Sequence, residues 1–131
     1  MAAFNAQKTC KQTPNAHLVE IRSNATQAFI NEKYFNLAVW IGMSDKGTEG
    51  RWKWSSTGQD INFTNWAEDQ PSNAEPNRDC AVSRYGKWRD TVCFATAKIV
   101  CQLNEKGENK RQLGLAELAV VLGMKLFADS V

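Results

Sequence analysis

The sequence lacks several features that mark common classes of protein. It has a single histidine, His17, and no Cys-x-x-Cys pair, so the usual ligands of a zinc site are missing. Its 16 basic and 14 acidic residues nearly balance, which gives no support for nucleic-acid or membrane-surface binding. No apolar run reaches the roughly 20 residues of a membrane span. Neither a nucleophile elbow nor a phosphate-binding loop occurs, so we expect no enzymatic activity.

What is present is a domain-sized chain with four cysteines. Its 131 residues, 43% of them apolar and five of them Trp, suffice for one domain and are too few for two. In such a chain four cysteines indicate two disulfides, and the sequence leaves all three pairings open. Disulfides predict a secreted protein, although the first residues, MAAFNAQKTCKQ, contain no apolar core of signal-peptide length.

Local patterns alternate between helical and extended segments. Residues 2–12 have a helix-compatible composition that ends before Pro14, and Ser23 is placed to cap a second helix that runs to about Lys33. Short strands are predicted over residues 17–21, 39–41, 51–54, 81–83 and 96–103. Residues 57–79 are rich in Asn, Asp, Gly, Pro and Ser, which predicts a long irregular loop of the kind that carries function.

Five sequence blocks occur in a characteristic order: WIGMSD, EGRWKW, NWAEDQPSNAEPNRDC, GKWRDTVC and IVC. Together they resemble the C-type lectin-like domain over residues 1–103, and EGRWKWSST and NFTNW are most similar to the perlucin-like lectins of molluscs. The resemblance implies an α+β fold with two helices packed on small antiparallel sheets, a long irregular ligand loop and two disulfides. It pairs Cys10 with Cys101 and Cys80 with Cys93.

The two ends of the chain depart from this pattern. Domains of the family usually open with a strand that pairs with their last one. Because this chain starts at what resembles their first helix, we expect an unpaired edge on strand 99–103. Residues 104–131 have no counterpart in the family: a polar hinge precedes an apolar stretch that we expect to be helical. One face of that helix would favour self-association or docking on the domain; its residues are Leu115, Leu118, Leu122 and Leu126. A tail without a selected role is the alternative.

Lectins of this family bind sugar hydroxyls on a calcium ion at a principal site. The family pattern is Glu-Pro-Asn or Gln-Pro-Asp, a Glu before Asp-Cys, and Asn-Asp after Trp. Aligned on Asp79-Cys80, the matching residues here are Gln70, Ser72, Arg78, Arg89 and Asp90. A guanidinium has only donors and cannot ligate calcium. The resemblance therefore implies a degenerate site in which Arg78 or Arg89 pairs with Asp90. In an alternative register, Glu75-Pro76-Asn77 is the mannose-type tripeptide.

The auxiliary calcium site of the family is better preserved. Oxygen-bearing side chains of the expected kind occupy all four positions: Asp45, Glu49, Asn73 and Asp79. Calcium takes six to eight such oxygens, so we expect it here rather than at the principal site. The alternative is that Asp45, Glu49 and Asp79 are ordinary loop carboxylates paired with Lys46 or Arg78.

Two Asn-x-Thr sequons, at Asn24 and Asn62, satisfy the rule for N-glycosylation, and we expect at most one to be used. The five Trp residues occupy positions that are core positions in the family, so we expect them to be buried rather than stacked on sugar.

Two functions remain open. The first is a glycan-binding lectin of innate defence or a mineralising matrix, with Gln-Pro suggesting galactose-type ligands. The second is a calcium-independent module that binds protein, anionic glycan or a mineral surface through a basic patch of Arg84, Lys87 and Arg89, joined by Arg78. The first predicts competition by neutral sugars, and the second predicts loss of binding with rising salt.

Overall fold

The computed structural model describes residues 1–72, 77–104 and 124–128. Within these ranges two helices and seven strands follow one another along the chain. In chain order they are α1 (Ala3–Cys10), β1 (Ala16–Leu18), α2 (Asn24–Tyr34), β2 (Val39–Ser44), β3 (Lys53–Trp54), β4 (Cys80–Arg84), β5 (Lys87–Thr91), β6 (Val100–Asn104) and β7 (Met124–Ala128). The α+β class with antiparallel sheets is confirmed. Neither helix of the described ranges is long and apolar enough to cross a membrane.

Both helices form where the sequence predicts them. The Oγ atom of Ser23 accepts a hydrogen bond from the amide of Thr26 at 3.2 Å, which satisfies one of the donors left over at the start of α2. Helix α1 ends at Cys10, and the disulfide between Cys10 and Cys101 joins it to β6. A bridge across 91 residues stabilises the fold by about 4 to 5 kcal/mol through the entropy of the unfolded chain.

The larger sheet has the strand order β3-β2-β4-β5 and is antiparallel throughout. Strand β2 is its most buried element because Trp40 faces one apolar cluster and its neighbours Val39 and Ile41 face the other. Gly42 allows a close approach of β2 to β1, since a Cβ atom there would lie 2.7 Å from the carbonyl oxygen of Leu18. This sheet supplies the platform on which the long loop rests.

Strand β5 was not predicted, because its sequence, KWRDT, holds one apolar residue among charged ones. Its alternation is nevertheless regular: Trp88 and Asp90 are buried, whereas Lys87 and Arg89 are exposed. The second disulfide, between Cys80 and Cys93, closes the β4–β5 hairpin and contributes roughly 3 kcal/mol. Both predicted disulfide pairings are confirmed.

The smaller sheet has the order β1-β6-β7, and it corrects two expectations. The edge of β6 is not left unpaired, because β7 pairs with it from Val100↔Ala128 to Asn104↔Met124. Residues 124–128, Leu126 among them, therefore form a strand instead of the expected helix, since an open sheet edge offers backbone hydrogen bonds that outweigh a local helical preference. Leu115, Leu118, Leu122 and the hinge after residue 104 lie outside the described residues.

Candidate calcium and glycan site

The long loop is anchored to β5 by backbone hydrogen bonds around Trp66. The amide of Ala67 donates to the carbonyl of Trp88, and the amide of Trp88 donates to the carbonyl of Asn65, both at 2.9 Å. The side chain of Asn65 also donates to the carbonyl of Gly86 at 2.8 Å. The loop that carries the predicted site is thus fixed against the last strand of the larger sheet.

The tryptophans form the core beneath this loop, as expected. Trp40, Trp52, Trp54 and Trp88 are buried, and Trp66 is half-buried against the cluster that contains Trp52, Trp54 and Trp88. The Trp66 ring lies 5.1 Å from that of Trp52 and 5.5 Å from that of Trp88, in tilted and edge-on arrangements. Their rings support the loop from below.

Three residues of the predicted principal site form one hydrogen-bonded network. Asp90 is only 3% exposed, and its Oδ2 accepts a hydrogen bond from the backbone amide of Ser72 at 2.7 Å. The amide of Asp90 donates in turn to Oε1 of Gln70 at 3.1 Å. These two hydrogen bonds join the loop to β5 at Asp90, and Gln70 and Ser72 are half-buried.

The two arginines predicted at this site, Arg78 and Arg89, differ in position and exposure. Arg89 is exposed on β5, and because neighbouring residues of a strand point to opposite faces, its side chain is directed away from the buried Asp90. Arg78 is half-buried just before β4 and has interactions of its own. Residues 75 and 76 of the alternative register lie outside the described residues.

The predicted auxiliary site brings three carboxylates together. One carboxylate oxygen from each of Asp45, Glu49 and Asp79 lies within 4.8 Å of the others. The amide of Asp45 donates to the carbonyl of Asp79 at 3.3 Å, which joins the segment after β2 to the segment before β4. The ion pairs of residues 1–72 and 77–104 include none between Lys46 and these carboxylates. Asn73, the fourth predicted ligand, is outside the described residues.

Asp45 is the most confined of the three, being 1% exposed. Its Oδ2 accepts a hydrogen bond from the backbone amide of Gly50 at 2.8 Å, whereas its Oδ1 is buried without a hydrogen-bond partner. Burial raises the pKa of Asp45 above its ordinary value, and the neighbouring Glu49 adds to the rise. Burial and the nearby Asp45 likewise raise the pKa of Asp79. The cluster therefore concentrates negative charge, and the charge of Asp45 is poorly solvated, whereas Asp79 is half-buried and Glu49 is exposed.

Sequence reasoning missed the backbone groups of both sites. Gly50 has a φ of +83°, a left-handed conformation that turns its amide toward Asp45, and the Glu-Gly pair four residues after Asp45 is the signal that points to such a turn. The Ser72 amide has no comparable signal, because its contact with Asp90 depends on how the loop folds over β5.

The family described as Lectin C-type domain matches residues 1–103. The chain belongs to the C-type lectin family. Lectin BRA-3 of Megabalanus rosa is 36% identical over 104 residues, which cover 76% of this chain and 63% of that protein. The hepatic lectin of Gallus gallus is also 36% identical over 104 residues, covering 78% of this chain and 50% of that protein. The chain thus spans about half to two thirds of the length of these relatives.

Solved structures of this lectin fold are similar as well. The carbohydrate-recognition domain of mouse scavenger receptor C-type lectin has a TM-score of 0.69 at 31% identity and covers 76% of this chain and 78% of its own. A calcium-independent type II antifreeze protein has the same TM-score at 25% identity, with 77% of each chain covered. The family and fold are those of carbohydrate-binding proteins and not of enzymes.

The two calcium positions of this lectin differ in how well they fit the ion. The auxiliary cluster fits, because calcium binds carboxylate oxygens and Oδ1 of Asp45 is a buried carboxylate oxygen that no donor satisfies. The principal position does not fit. Oδ1 of Asp90 is also buried without a hydrogen bond, but Oε1 of Gln70 and Oδ2 of Asp90 are engaged within the protein, and Ser72, Arg78 and Arg89 replace residues that would supply ligating oxygens.

Proposed function

We propose that this chain is a glycan-binding C-type lectin in which calcium supports the loop and does not hold the sugar. The observation that carries the proposal is the contrast between the two buried aspartates. Asp45 lies in a cluster of three carboxylates with Glu49 and Asp79, whereas Asp90 accepts a hydrogen bond from the loop that the family uses for sugar.

Asp45, Glu49 and Asp79 would hold the calcium ion, with Asn73 as a fourth ligand. The bound ion would neutralise these carboxylates, including the poorly solvated charge of Asp45, and would join the segment after β2 to the start of β4. The chain's own contribution is to hold these oxygens in place, through the Gly50 amide and the backbone bond from Asp45 to Asp79.

Glycan recognition would then depend on direct hydrogen bonds at the surface of the loop. Ser72 offers a hydroxyl, and Gln70 keeps an amide NH₂ group that can donate while its Oε1 accepts from Asp90. Donors and acceptors of this kind match the vicinal hydroxyls of a neutral hexose such as galactose. Such a site is expected to bind weakly, and several copies in one assembly would raise its avidity.

The decisive experiment is calorimetric titration of the oxidised protein with calcium, followed by a glycan array with and without chelator. We expect one bound calcium per chain and neutral-glycan binding that the chelator weakens but does not abolish. Two ions per chain, with binding lost entirely on chelation, would mean that the principal site holds calcium after all. No retained glycan under either condition would refute the lectin proposal.

The basic patch of Arg84, Lys87 and Arg89 favours a second candidate, binding of anionic glycans. All three side chains are exposed, and they lie on the β4–β5 hairpin, next to the loop. The ion pairs of residues 1–72 and 77–104 include none of them. Arg84 instead stacks over Tyr85, and Lys87 donates to Asn65, which leaves Arg89 as the most available cation.

Arg89→Ala tests this candidate, with Lys33→Ala in the last turn of α2 as a charge-matched control. If anionic glycans bind here, Arg89→Ala lowers their affinity about threefold, or ~0.6 kcal/mol, and weakens the salt dependence, while the control does not. Equal effects of the two variants would indicate only a general loss of positive charge.

Secretion and a role in innate defence or in a mineralising matrix complete the proposal. The two disulfides support an oxidising compartment, and no free cysteine occurs in the described ranges. Fractionation of the source tissue, with antibody detection in extracellular fluid, tests secretion directly.

A further inference from the structure

The second sequon, Asn62-Phe-Thr64, lies in an irregular part of the long loop that bends at Phe63. Ile61 and Phe63 are half-buried against the core cluster, and the residues between and after them, Asn62 and Thr64, are exposed. The amide of Ile61 donates to the carbonyl of Trp52 at 3.3 Å, and the Phe63 ring meets Trp88 edge-on at 5.9 Å. These contacts hold Ile61 and Phe63 against the core and leave Asn62 and Thr64 both on the solvent side.

The first sequon, Asn24-Ala-Thr26, has the opposite arrangement. It forms the first turn of α2, where side chains two positions apart do not face each other. Asn24 is exposed, but Thr26 is only 3% exposed, and its hydroxyl lies 3.2 Å from the Ser23 hydroxyl. The two side chains that define the sequon are therefore separated, and one of them is withdrawn into the helix cap.

We propose that Asn62 is the N-glycosylation site of this protein and that Asn24 is not used. The donor would be a lipid-linked oligosaccharide diphosphate of the secretory pathway. The Nδ2 atom of Asn62 bonds to the anomeric carbon of the sugar and gives up a proton. The bond from that carbon to the diphosphate oxygen breaks, and the lipid diphosphate leaves. The proposal depends on secretion and is independent of calcium and of glycan binding.

Two further observations support the choice of Asn62. Its exposed side chain makes no hydrogen bond to any residue within 1–72 and 77–104, so an attached sugar would displace no native hydrogen bond. Its segment contains no helix or strand and is held by contacts with Trp52 and, farther along the chain, with Trp88. The cap of α2, by contrast, is made by the adjacent Ser23 and needs no distant contact.

The test uses the full chain, secreted from insect cells behind a heterologous leader, with Asn62→Gln and Asn24→Gln as matched variants. Intact mass before and after enzymatic release of N-glycans gives the number of glycans, and peptide mass mapping gives the position. We expect one glycan, lost in Asn62→Gln and kept in Asn24→Gln. Thr64→Ala, which retains Asn62, is expected to lose it as well.

A glycan mapped to Asn24, or secreted and disulfide-bonded protein that carries no glycan, would overturn the proposal. Near-ultraviolet circular dichroism of each variant confirms that it is folded, so a missing glycan cannot be attributed to unfolding. Because the leader directs the chain into the secretory pathway, the result does not depend on whether the chain is a lectin.

Discussion

Asp45 and Asp90, the two buried aspartates of the loop region, have different surroundings. Each is almost completely excluded from solvent, and each accepts a hydrogen bond from a backbone amide, from Gly50 and Ser72 respectively. Asp45 lies among further carboxylates, whereas Asp90 lies within a hydrogen-bonded network that includes Gln70. A buried carboxylate needs either a cation or enough donors, and the neighbouring residues decide which.

Among the substitutions that test this difference, Asp45→Asn is expected to have the largest effect, which is a loss of calcium affinity. Asp45→Asn keeps an oxygen that can accept from Gly50 but removes a charged ligand, so calcium affinity should fall about 100-fold, or ~2.7 kcal/mol. Without calcium the variant should be at least as stable as the parent, because a desolvated charge has been removed. Calorimetry and thermal unfolding with and without calcium measure both quantities.

Asp60→Asn is the matched control, because Asp60 is an exposed carboxylate paired with Arg51 outside the cluster. Unchanged calcium affinity in Asp45→Asn, or an equal loss in Asp60→Asn, would contradict the assignment of the cluster.

Loss of the Asp90 carboxylate is expected to affect stability and leave calcium untouched. Asp90→Ala removes the acceptor of the Ser72 amide, which should lower the free energy of unfolding by about 1 to 3 kcal/mol. Asp90→Asn retains a side-chain oxygen that can accept from the Ser72 amide, so it should lower the free energy of unfolding by less. Denaturant unfolding measures the difference, and a reduced number of bound calcium ions in Asp90→Ala would show that Asp90 is a calcium ligand.

The stability of the protein should depend on pH through the carboxylates of Asp45 and Asp79. Because folding raises the pKa of Asp45 and of Asp79 above 3.8, the folded state holds more protons than the unfolded state between 3.8 and the raised values. The free energy of unfolding without calcium should therefore increase as pH falls through this window. Protons compete with calcium, so the calcium-induced rise in Tm should shrink over the same window.

Thermal unfolding across this pH range, with and without calcium, measures both trends. Asp45→Asn removes one of the two groups and should reduce the pH dependence. The prediction is contradicted if the parent and this variant have the same pH profile.

The smallest expected effect concerns the backbone donor to Asp45. Gly50→Ala places a side chain at a φ of +83° and should cost about 1 kcal/mol of stability, with a modest loss of calcium affinity. Gly47→Ala is the control from the same loop, because a Cβ atom there meets nothing within 4 Å. Calcium titration and thermal unfolding compare the two, and equal losses would mean that the Gly50 amide has no special role.

Much of the fold follows from local signals in the sequence. Ser23 and the spacing behind it predict the start of α2, and the apolar run at residues 39–41 predicts β2. Strand β5 could not be predicted from a hydrophobic pattern. The charged residue Asp90 occupies an inward-facing position at which such a pattern requires an apolar residue. Its burial is tolerated only because the Ser72 amide comes from a distant part of the chain.

The sequence by itself determined the family and the residue types of both candidate sites, and the family resemblance predicted the disulfide pairings that the structure confirms. Only the tertiary structure decided which oxygens are already hydrogen-bonded, which of two arginines faces away from Asp90, and which sequon presents both of its side chains. It also decided that residues 124–128 form the edge strand β7. The physical reason is the same in each case: side-chain identity sets what a group can bind, whereas hydrogen-bond partners and exposure are set by segments far apart in the chain.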